Sequence, residues 1–324
     1  MKIRWGIAGP GAIAVGFANG LAELDDASLV AVGSRALDRA QAFADKYGAP
    51  HAHGSYEELA ANPDVDVVYV ATPQSRHMDD TLLFLEAGKH VLCEKPFALN
   101  EAQGRRMVET ARANGVFVME ALWSRFLPSY VKLRELIAEG AIGEPNYVES
   151  EFGFIRPFDA TNRLFDLAQG GGSLLDLGVY PVHLAHMVLG EPDIVKGVGH
   201  IGRSGVDELV VGTLGYANGA LAVVKSSLNT NMNFTGRVIG PEGTIDIPVI
   251  FHCPNSLTLQ RGMERTEIAC PVEGQGLKYQ AIEVHRCIRE GLLESPIMPH
   301  SETLAMARTM DAIRADIGMR YPGE

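Results

Sequence analysis

The first twenty residues join a short apolar run to a glycine-rich turn, and this pairing constrains the fold more than any other feature of the chain. The apolar run covers residues 3–8, and Gly9-Pro10-Gly11-Ala12-Ile13-Ala14 follows it directly. Two glycines separated by one residue allow a tight turn that leads straight into a helix. The glycines also argue against a secretory leader, whose centre is dominated by bulky apolar residues. A strand, a turn and a helix are therefore expected here.

Up to about residue 115 the chain alternates short apolar runs with amphipathic stretches. This alternation is typical of a parallel sheet that helices cover on both faces. The predicted strands are 3–8, 29–34, 65–71, 90–93 and 116–119, and the predicted helices are 12–24, 37–47, 56–61, 79–87 and 101–114. We therefore expect an α/β Rossmann domain with a parallel sheet over residues 1–120.

Past residue 120 apolar and polar residues alternate at every second position, which is typical of strands that bury one face. Asn218-Gly219 lies between two such runs and predicts a hairpin with a type I′ turn, whose two central residues both have positive φ. The predicted strands are 147–155, 209–216, 220–228, 234–239 and 256–260, and the predicted helices are 127–139, 173–189, 279–292 and 302–318. Residues 121–324 are expected to form an α+β domain with a large, open, mostly antiparallel sheet. An open sheet face needs cover, which predicts a homodimer or a higher homo-oligomer formed through this sheet.

Charge and cysteine content narrow the range of partners. The 28 Lys and Arg residues against 40 Asp and Glu residues give a net charge of −12, which disfavours nucleic acid and anionic membranes as partners. Four cysteines are present, at positions 93, 253, 270 and 287, without zinc-ligand spacing. We expect reduced thiols, a cytoplasmic location and no metal site.

The glycine turn predicts a dinucleotide site. Gly9, Gly11, Ala12 and Ile13 would let the backbone approach a pyrophosphate at the positive end of the following helix. A string of this kind by itself is also found in ordinary glycine-rich turns. Its place after the first strand of an alternating domain favours the dinucleotide.

The end of the second predicted strand indicates which dinucleotide is bound. Enzymes that use NAD place a carboxylate there for the ribose 2′-hydroxyl, whereas this chain has Ser34 and Arg35, with Arg39 one helical turn further on. A hydroxyl and guanidinium groups would bind a 2′-phosphate, which a carboxylate would repel. NADP is therefore expected ahead of NAD, which stays possible. The alternative is that both arginines are solvent-exposed partners of Asp38.

Two further segments carry polar groups that chemistry can use. Lys95 precedes a proline at the carboxyl end of a predicted parallel strand, where open α/β sheets bind ligands. The run Gly170-Gly171-Gly172 leads into an apolar helix in which Asp176, Tyr180 and His183 follow one another at spacings of four and three. That spacing would place the three on one face of an α-helix. A helix cap for Asp176, a core position for Tyr180 and ordinary edge positions for His183 and His186 are the structural alternatives, and for the histidines they are favoured.

Four strings together resemble the glucose-fructose oxidoreductase, inositol dehydrogenase and MocA (Gfo/Idh/MocA) family of NAD(P)-dependent oxidoreductases. They are the turn 9–14, Ala71-Thr72-Pro73 with His77, Glu94-Lys95-Pro96, and the segment 171–180, and the likeness covers nearly the whole chain. Within the family, residues 119–126 and Tyr180 are most similar to the branch of dimeric dihydrodiol dehydrogenases and NADP-dependent D-xylose dehydrogenases. Inositol dehydrogenases carry a histidine at the position of Tyr180, so inositol is a weaker candidate substrate.

The resemblance implies hydride transfer between a nicotinamide cofactor and a carbinol or hemiacetal carbon. It implies a substrate-binding and dimerisation role for the second half, and Lys95 and Tyr180 as the polar pair at the reacting oxygen. Tyr180 would be the acid/base and Asp176 would orient or balance the pair. The remaining residues implied to line the cofactor site are Thr72, Pro73, His77, Glu94, Lys95, Trp123 and Arg125. An aldose such as D-xylose, oxidised to its lactone, is the first expected substrate, and a trans-dihydrodiol is the second.

Two other functions within the family stay open. One is a non-catalytic sensor that binds a dinucleotide, and the other is a glycosidase that uses NAD without net redox change. The presence of both Lys95 and Tyr180 favours a dehydrogenase over the sensor. The absence of a TyrxxxLys motif excludes the catalytic pair of short-chain dehydrogenases.

Overall fold

The chain divides into two units, which a computed structural model describes over residues 2–324. The first unit contains residues up to 98, 102–126 and 273–303, and the second contains 99–101, 127–272 and 304–324. The sequence pattern predicts two continuous segments, 1–120 and 121–324. Residues 273–303 instead pack on the first unit, where Lys278 Nζ lies 2.9 Å from Glu23 Oε2 and Trp5 Nε1 donates to His285 Nε2 at 2.9 Å.

Six parallel strands form the sheet of the first unit, as expected for a Rossmann domain. They are β1 (Ile3–Ala8), β2 (Ala27–Gly33), β3 (His51–His53), β4 (Val67–Val70), β5 (His90–Glu94) and β6 (Val118–Ala121). Their order is β3-β2-β1-β4-β5-β6. The order reverses between β1 and β4, and ligands bind such sheets at the carboxyl ends of the strands beside this reversal.

Nine α-helices lie within the described residues. They are α1 (Ala12–Ala22), α2 (Leu37–Tyr47), α3 (Tyr56–Ala61), α4 (His77–Glu86), α5 (Glu101–Asn114), α6 (Pro128–Ala138), α7 (Val179–Leu189), α8 (Lys278–Arg289) and α9 (His300–Ile317). Local sequence explains where several begin or end. Ser55 Oγ accepts the Glu58 N–H at 3.1 Å at the start of α3, and Gly88 and Gly115 take φ of +75° and +65° after α4 and α5.

The second unit contains one eight-stranded sheet, which confirms the predicted α+β class. Its strands are β7 (Tyr147–Gly153), β8 (Ile194–Ile201), β9 (Asp207–Gly215), β10 (Leu221–Ser227), β11 (Gly236–Gly240), β12 (Gly243–Ile247), β13 (Ser256–Arg261) and β14 (Glu264–Ala269). They run in the order β14-β13-β12-β11-β7-β10-β9-β8, and every neighbouring pair is antiparallel except β7 and β10.

The inner face of this sheet is covered by α7 and by the part of α9 after residue 303. Glycines on β8 and β9 make room for α9, because a Cβ at Gly197 or Gly212 would lie 2.9 or 2.8 Å from Ile313 side-chain carbons. The alternation of the strands therefore places one face against helices and leaves the other face open.

The β9–β10 hairpin forms at Asn218-Gly219, but the predicted type I′ turn is wrong. Only Gly219 has a positive φ, of +86°, and Tyr216 N donates to Ala220 O at 3.1 Å across a three-residue loop. Asn218 Oδ1 accepts the Ala220 N–H at 3.0 Å. This side-chain bond supports a negative φ at Asn218, with glycine alone in the left-handed region.

Candidate active site

The turn after β1 is shaped to admit a phosphate group. Gly9 has φ of +87°, and a Cβ there would lie 2.8 Å from Ala71 O. Gly11 caps α1 without a side-chain hydrogen bond, and a Cβ at that position would meet nothing within 4 Å. Ala12 and Ile13 of the first turn are exposed. The helix N-terminus therefore faces open space and fits the pyrophosphate of a dinucleotide.

A buried serine and an exposed arginine, Arg35, follow β2, and a second exposed arginine, Arg39, lies in the first turn of α2. Ser34 is 6% exposed, and its Oγ accepts the Ala36 N–H at 3.3 Å. Within residues 2–324, neither Arg35 nor Arg39 has a carboxylate within ion-pairing distance. The pairing with Asp38, which the structural alternative requires, is absent from this part of the chain.

The two arginines act on the same tyrosine. Burial and the Asp80 carboxylate raise the pKa of Tyr56, and the guanidinium groups of Arg35, Arg76 and Arg39 oppose that rise. Positive charge is thus concentrated beyond the end of β2, where a 2′-phosphate would need it.

His77 joins two loops at the carboxyl edge of the parallel sheet. It is 1% exposed, and its ring nitrogens lie 2.8 Å from Pro96 O and 3.0 Å from Thr72 O. Thr72 is buried and Pro73 is half-buried in the loop after β4. His77 therefore positions the backbone of both loops, and its predicted contact with the cofactor stays a prediction.

Lys95 follows directly after β5, and Glu94 holds its backbone. The buried Glu94 carboxylate accepts a hydrogen bond from the Tyr69 hydroxyl, and its Oε2 accepts the Lys95 N–H at 3.1 Å. The Lys95–Pro96 peptide is cis, and the Lys95 side chain is half-buried. The role that the structure gives Glu94 is thus to orient the loop that presents Lys95.

Arg125 lies in a 3-10 turn, Trp123–Phe126, and the protein itself binds its guanidinium. Nη2 donates to Glu302 Oε2 at 2.8 Å, and Nε donates to Ile297 O at 2.8 Å. Arg125 is 7% exposed and Trp123 is half-buried. Contact of these two side chains with cofactor or substrate stays a prediction.

The segment after the glycine run begins with a π-helical turn, Leu174–Gly178, before α7. A π-turn is wider than an α-turn, so the expected α-helical spacing from Asp176 to Tyr180 is interrupted. Asp176 Oδ1 accepts from Arg163 Nη2 at 3.0 Å, whereas His183 stacks on Tyr130 with ring centres 5.8 Å apart. Single-turn π-helices are frequent at functional sites.

Tyr180 is packed into a cluster of aromatic rings. Its ring centre lies 5.6 Å from Phe152 and 5.0 Å from His252, and Phe152 lies 5.0 Å from Phe234. Phe154 stacks parallel to Phe234. Phe234 has φ of +57°, an uncommon conformation for a bulky residue and one that clusters at ligand sites. We call Phe152, Phe154, Phe234 and His252 the aromatic wall.

Residues 3–122 match the oxidoreductase family with an NAD-binding Rossmann fold, GFO_IDH_MocA, and residues 130–246 match the GFO/IDH/MocA C-terminal domain. The chain belongs to this family. Among its relatives, trans-1,2-dihydrobenzene-1,2-diol dehydrogenase of Mus musculus is 40% identical and that of Homo sapiens is 37% identical, each over 99% of both chains. This GFO/IDH/MocA protein is an NAD(P)-dependent oxidoreductase that acts on CH–OH groups.

Solved structures of similar fold include other oxidoreductases. An aldose-aldose oxidoreductase from Caulobacter crescentus, complexed with glycerol, has a TM-score of 0.88 at 28% identity and covers 98% of this chain and 97% of its own. A 3-ketoreductase from Actinomadura kijaniata, in complex with NADP and TDP-benzene, has a TM-score of 0.88 at 27% identity over 98% of each chain. The described helices include none long and apolar enough to cross a membrane.

Sequence reasoning missed Glu120 of this oxidoreductase. Glu120 lies at the carboxyl end of β6 beside Cys93 of β5, and its Oε1 accepts the Phe97 N–H at 3.0 Å. Burial raises the pKa of Glu120 to about 7, and the Glu302 and Glu94 carboxylates add to the rise. An acidic residue in an otherwise apolar strand was the available signal. The loop of Lys95 is therefore backed by a carboxyl group that titrates near neutrality.

The aromatic wall and Arg163 were also missed as site residues. His252 and Phe234 lie in irregular segments, where no periodicity indicates which way a side chain points. Arg163 lies in a 3-10 turn thirteen residues before its partner Asp176. Only the fold brings such residues to Asp176 and Tyr180.

Proposed function

We propose that this oxidoreductase oxidises one carbinol of a cyclic vicinal diol, with a trans-dihydrodiol first and an aldose second, and that NADP is its cofactor. The observation that carries the proposal is the hydroxyl-bearing ring of Tyr180 inside the aromatic wall. A flat, largely apolar ring stacks on aromatic side chains, while the phenolate form of a tyrosine can take a proton from one of the hydroxyl groups on that ring. The aromatic wall favours the dihydrodiol over the more polar aldose.

In the proposed reaction the cofactor takes the hydride and side chains of the protein take the proton. The nicotinamide, when bound, accepts the hydride from the carbinol carbon. Tyr180, acting as the phenolate, takes the hydroxyl proton and becomes the phenol, so that the carbinol becomes a carbonyl. Lys95 is the proposed electrostatic partner of that oxygen, and Asp176 is proposed to support Tyr180.

Initial rates with a small panel of substrates test this function. Purified protein is given NADP⁺ or NAD⁺ with trans-1,2-dihydrobenzene-1,2-diol, D-xylose or an aryl glycoside, and absorbance of the reduced nicotinamide is followed. We expect the largest kcat/KM with NADP⁺ and the dihydrodiol. Dinucleotide binding without turnover of any substrate would favour the sensor. Glycoside cleavage without net change in the cofactor would favour the glycosidase.

Arg35→Ala is expected to weaken NADP⁺ selectively. Hydrogen bonds to charged groups contribute about 1.5–3 kcal/mol, so KM for NADP⁺ should rise about tenfold or more. KM for NAD⁺ should stay within about twofold, because NAD⁺ has no 2′-phosphate. Arg106→Ala, which removes an exposed arginine on α5, is the matched control and should change neither value. An equal loss for both dinucleotides would place Arg35 outside the phosphate site.

A homodimer formed through the open face of the eight-stranded sheet is also proposed. Exposed apolar side chains lie at one end of that face, with Ile194 61% and Val198 77% exposed next to Val211 and Leu221. Ion pairs between Lys225 and Glu151 and between Arg237 and Asp246 lie at its centre. Exposed apolar side chains at the edge of a sheet are typical of surfaces that pair with another chain.

The mass in solution checks the homodimer. Light scattering at micromolar concentration should give twice the 35.0 kDa of one chain. Val198→Asp should shift the mass toward one chain, because it places a charge in the apolar contact. Met263→Asp is the control, since Met263 is 99% exposed in the β13–β14 turn. A wild-type mass of one chain would contradict the proposal.

A reducing, cytoplasmic location completes the proposal. All four cysteines are free thiols in the described chain. Cys93 is fully buried, and burial raises the pKa of its thiol well above the ordinary range. Buried, protonated thiols of this kind are structural rather than reactive.

A further inference from the structure

Arg163 and Asp176 form an ion pair directly before the helix that carries Tyr180. Arg163 Nη2 lies 3.0 Å from Asp176 Oδ1. The Asp176 side chain is 9% exposed, whereas the Arg163 side chain is 49% exposed. Within residues 2–324, Asp176 is the one acceptor bound by this guanidinium, and about half of the Arg163 side chain is accessible to solvent.

The backbone that carries Arg163 is seated against the glycine turn. Gly171 N donates to Asp166 O and Gly172 N donates to Leu164 O, both at 2.9 Å. A Cβ at Gly171 would lie 2.6 Å from Arg163 O. Asn162 Oδ1 accepts the Leu164 N–H at 3.0 Å and closes the turn. The backbone that carries Arg163 and the glycine turn before the π-turn are therefore closely packed against each other.

The burial of this pair is asymmetric, which leaves part of the guanidinium accessible to a ligand. An ion pair that serves the interior alone buries both charged groups, whereas here the carboxylate is buried and the guanidinium is half exposed. A guanidinium presents five N–H donors in a planar fork, so an edge held by a carboxylate leaves other edges for oxygen acceptors. Asp176 thus orients a donor group whose open side can bind a ligand.

The position of the pair points to the substrate. Asp176 lies in the π-turn Leu174–Gly178, which leads directly into α7 and its second residue, Tyr180. A group held at the start of this segment is therefore a candidate to contact a substrate whose reacting hydroxyl lies at Tyr180. The aromatic wall contacts Tyr180 through Phe152 and His252 and supplies apolar contact.

We propose that Arg163 donates hydrogen bonds to the neighbouring hydroxyl of the substrate, the one that is not oxidised, and so selects vicinal diols over simple alcohols. The inference rests on the proposed function and adds a specificity-determining residue to it. In addition to the support of Tyr180 proposed above, Asp176 then holds the guanidinium of Arg163 in place.

A pair of substrates that differ by one hydroxyl tests the inference. trans-1,2-Cyclohexanediol and cyclohexanol are compared as substrates for the wild-type enzyme and for Arg163→Gln, with kcat and KM measured separately. We expect wild type to prefer the diol, and Arg163→Gln to lower kcat/KM for the diol about tenfold to a hundredfold. The value for cyclohexanol should stay within about twofold, so that the preference disappears. Arg163→Lys should lose part of the preference, because it keeps the charge and loses the fork.

A control variant distinguishes binding of the substrate hydroxyl by Arg163 from a purely structural role of this residue. Arg156→Gln makes the same change at an exposed arginine seven residues earlier in the same loop and should leave both substrates unaffected. An equal loss for both substrates in Arg163→Gln would show a structural role and overturn the inference. An unchanged preference for the diol would overturn it as well and leave the proposed function standing. A wild-type enzyme that oxidises the dihydrodiol but neither of these two compounds would overturn the inference, because a neighbouring hydroxyl would then not be enough to select a substrate. An enzyme that oxidises none of the three would contradict the proposed function and the inference together.

Discussion

Tyr180→Phe should lower kcat for the diol by about two to four orders of magnitude and leave dinucleotide binding unchanged. The substitution removes only the phenolic oxygen that takes the substrate proton, and general acid–base catalysis contributes a factor of about 10²–10⁴. The phenyl ring stays, so packing against Phe152 and His252 is retained. Initial rates give kcat, and fluorescence titration with NADP⁺ gives the dissociation constant.

Tyr216→Phe is the matched control for this experiment. Tyr216 lies at the β9–β10 hairpin, and its buried hydroxyl has no hydrogen-bond partner among residues 2–324. Removing that hydroxyl should change neither kcat nor the thermal midpoint appreciably. A Tyr180→Phe enzyme that keeps more than a tenth of wild-type kcat would assign the proton transfer to another group.

Gly171→Ala is expected to destabilise the second unit by about 3 kcal/mol, the upper part of the range for overpacking. A Cβ there would lie 2.6 Å from Arg163 O, 2.7 Å from Leu164 O and 2.9 Å from Asp166 O. Backbone carbonyls on three residues cannot rotate away as a flexible side chain can, so the turn itself has to shift. Because the same turn starts the helix of Tyr180, kcat should fall with stability. Urea denaturation followed by circular dichroism measures the free energy of unfolding.

Gly215→Ala provides the comparison for the glycine substitution. Gly215 lies in the same unit, and a Cβ there would meet its nearest atom, on Ile194, at the ordinary contact distance of 3.4 Å. We expect a change in the free energy of unfolding below about 1 kcal/mol, since the added methyl group would meet its neighbours only at ordinary contact distance. If Gly171→Ala proved equally mild, the glycine turn would be flexible enough to accommodate a side chain, and its role in holding Arg163 would be weaker.

Local sequence patterns predicted the helices and strands whose side chains are mostly buried or alternate regularly between the core and solvent. Strands β1, β4 and β5 lie in the middle of a covered sheet, so their apolar runs are continuous and easily recognised. Strands β3, β8, β12 and β14 escaped prediction for different reasons, and β3 has only three residues. β8 is glycine-containing and largely exposed, β12 is short, and β14 is a polar edge strand. An edge strand buries little, so its sequence carries little periodicity.

The sequence by itself determined the glycine turn of the Rossmann domain and the family. It also determined that Lys95 follows a strand and that Tyr180 lies in a helix. Glycine at positions 9 and 11 and the strings around Lys95 and Tyr180 are local signals, because backbone geometry over a few residues dictates them. Tertiary structure decided what those residues touch. The π-turn, the bond from Arg163 to Asp176, the aromatic wall and the burial of Glu120 join residues that are distant in the chain or lie in irregular segments. Such contacts depend on how whole elements pack, and the spacing of residues along the chain does not encode them.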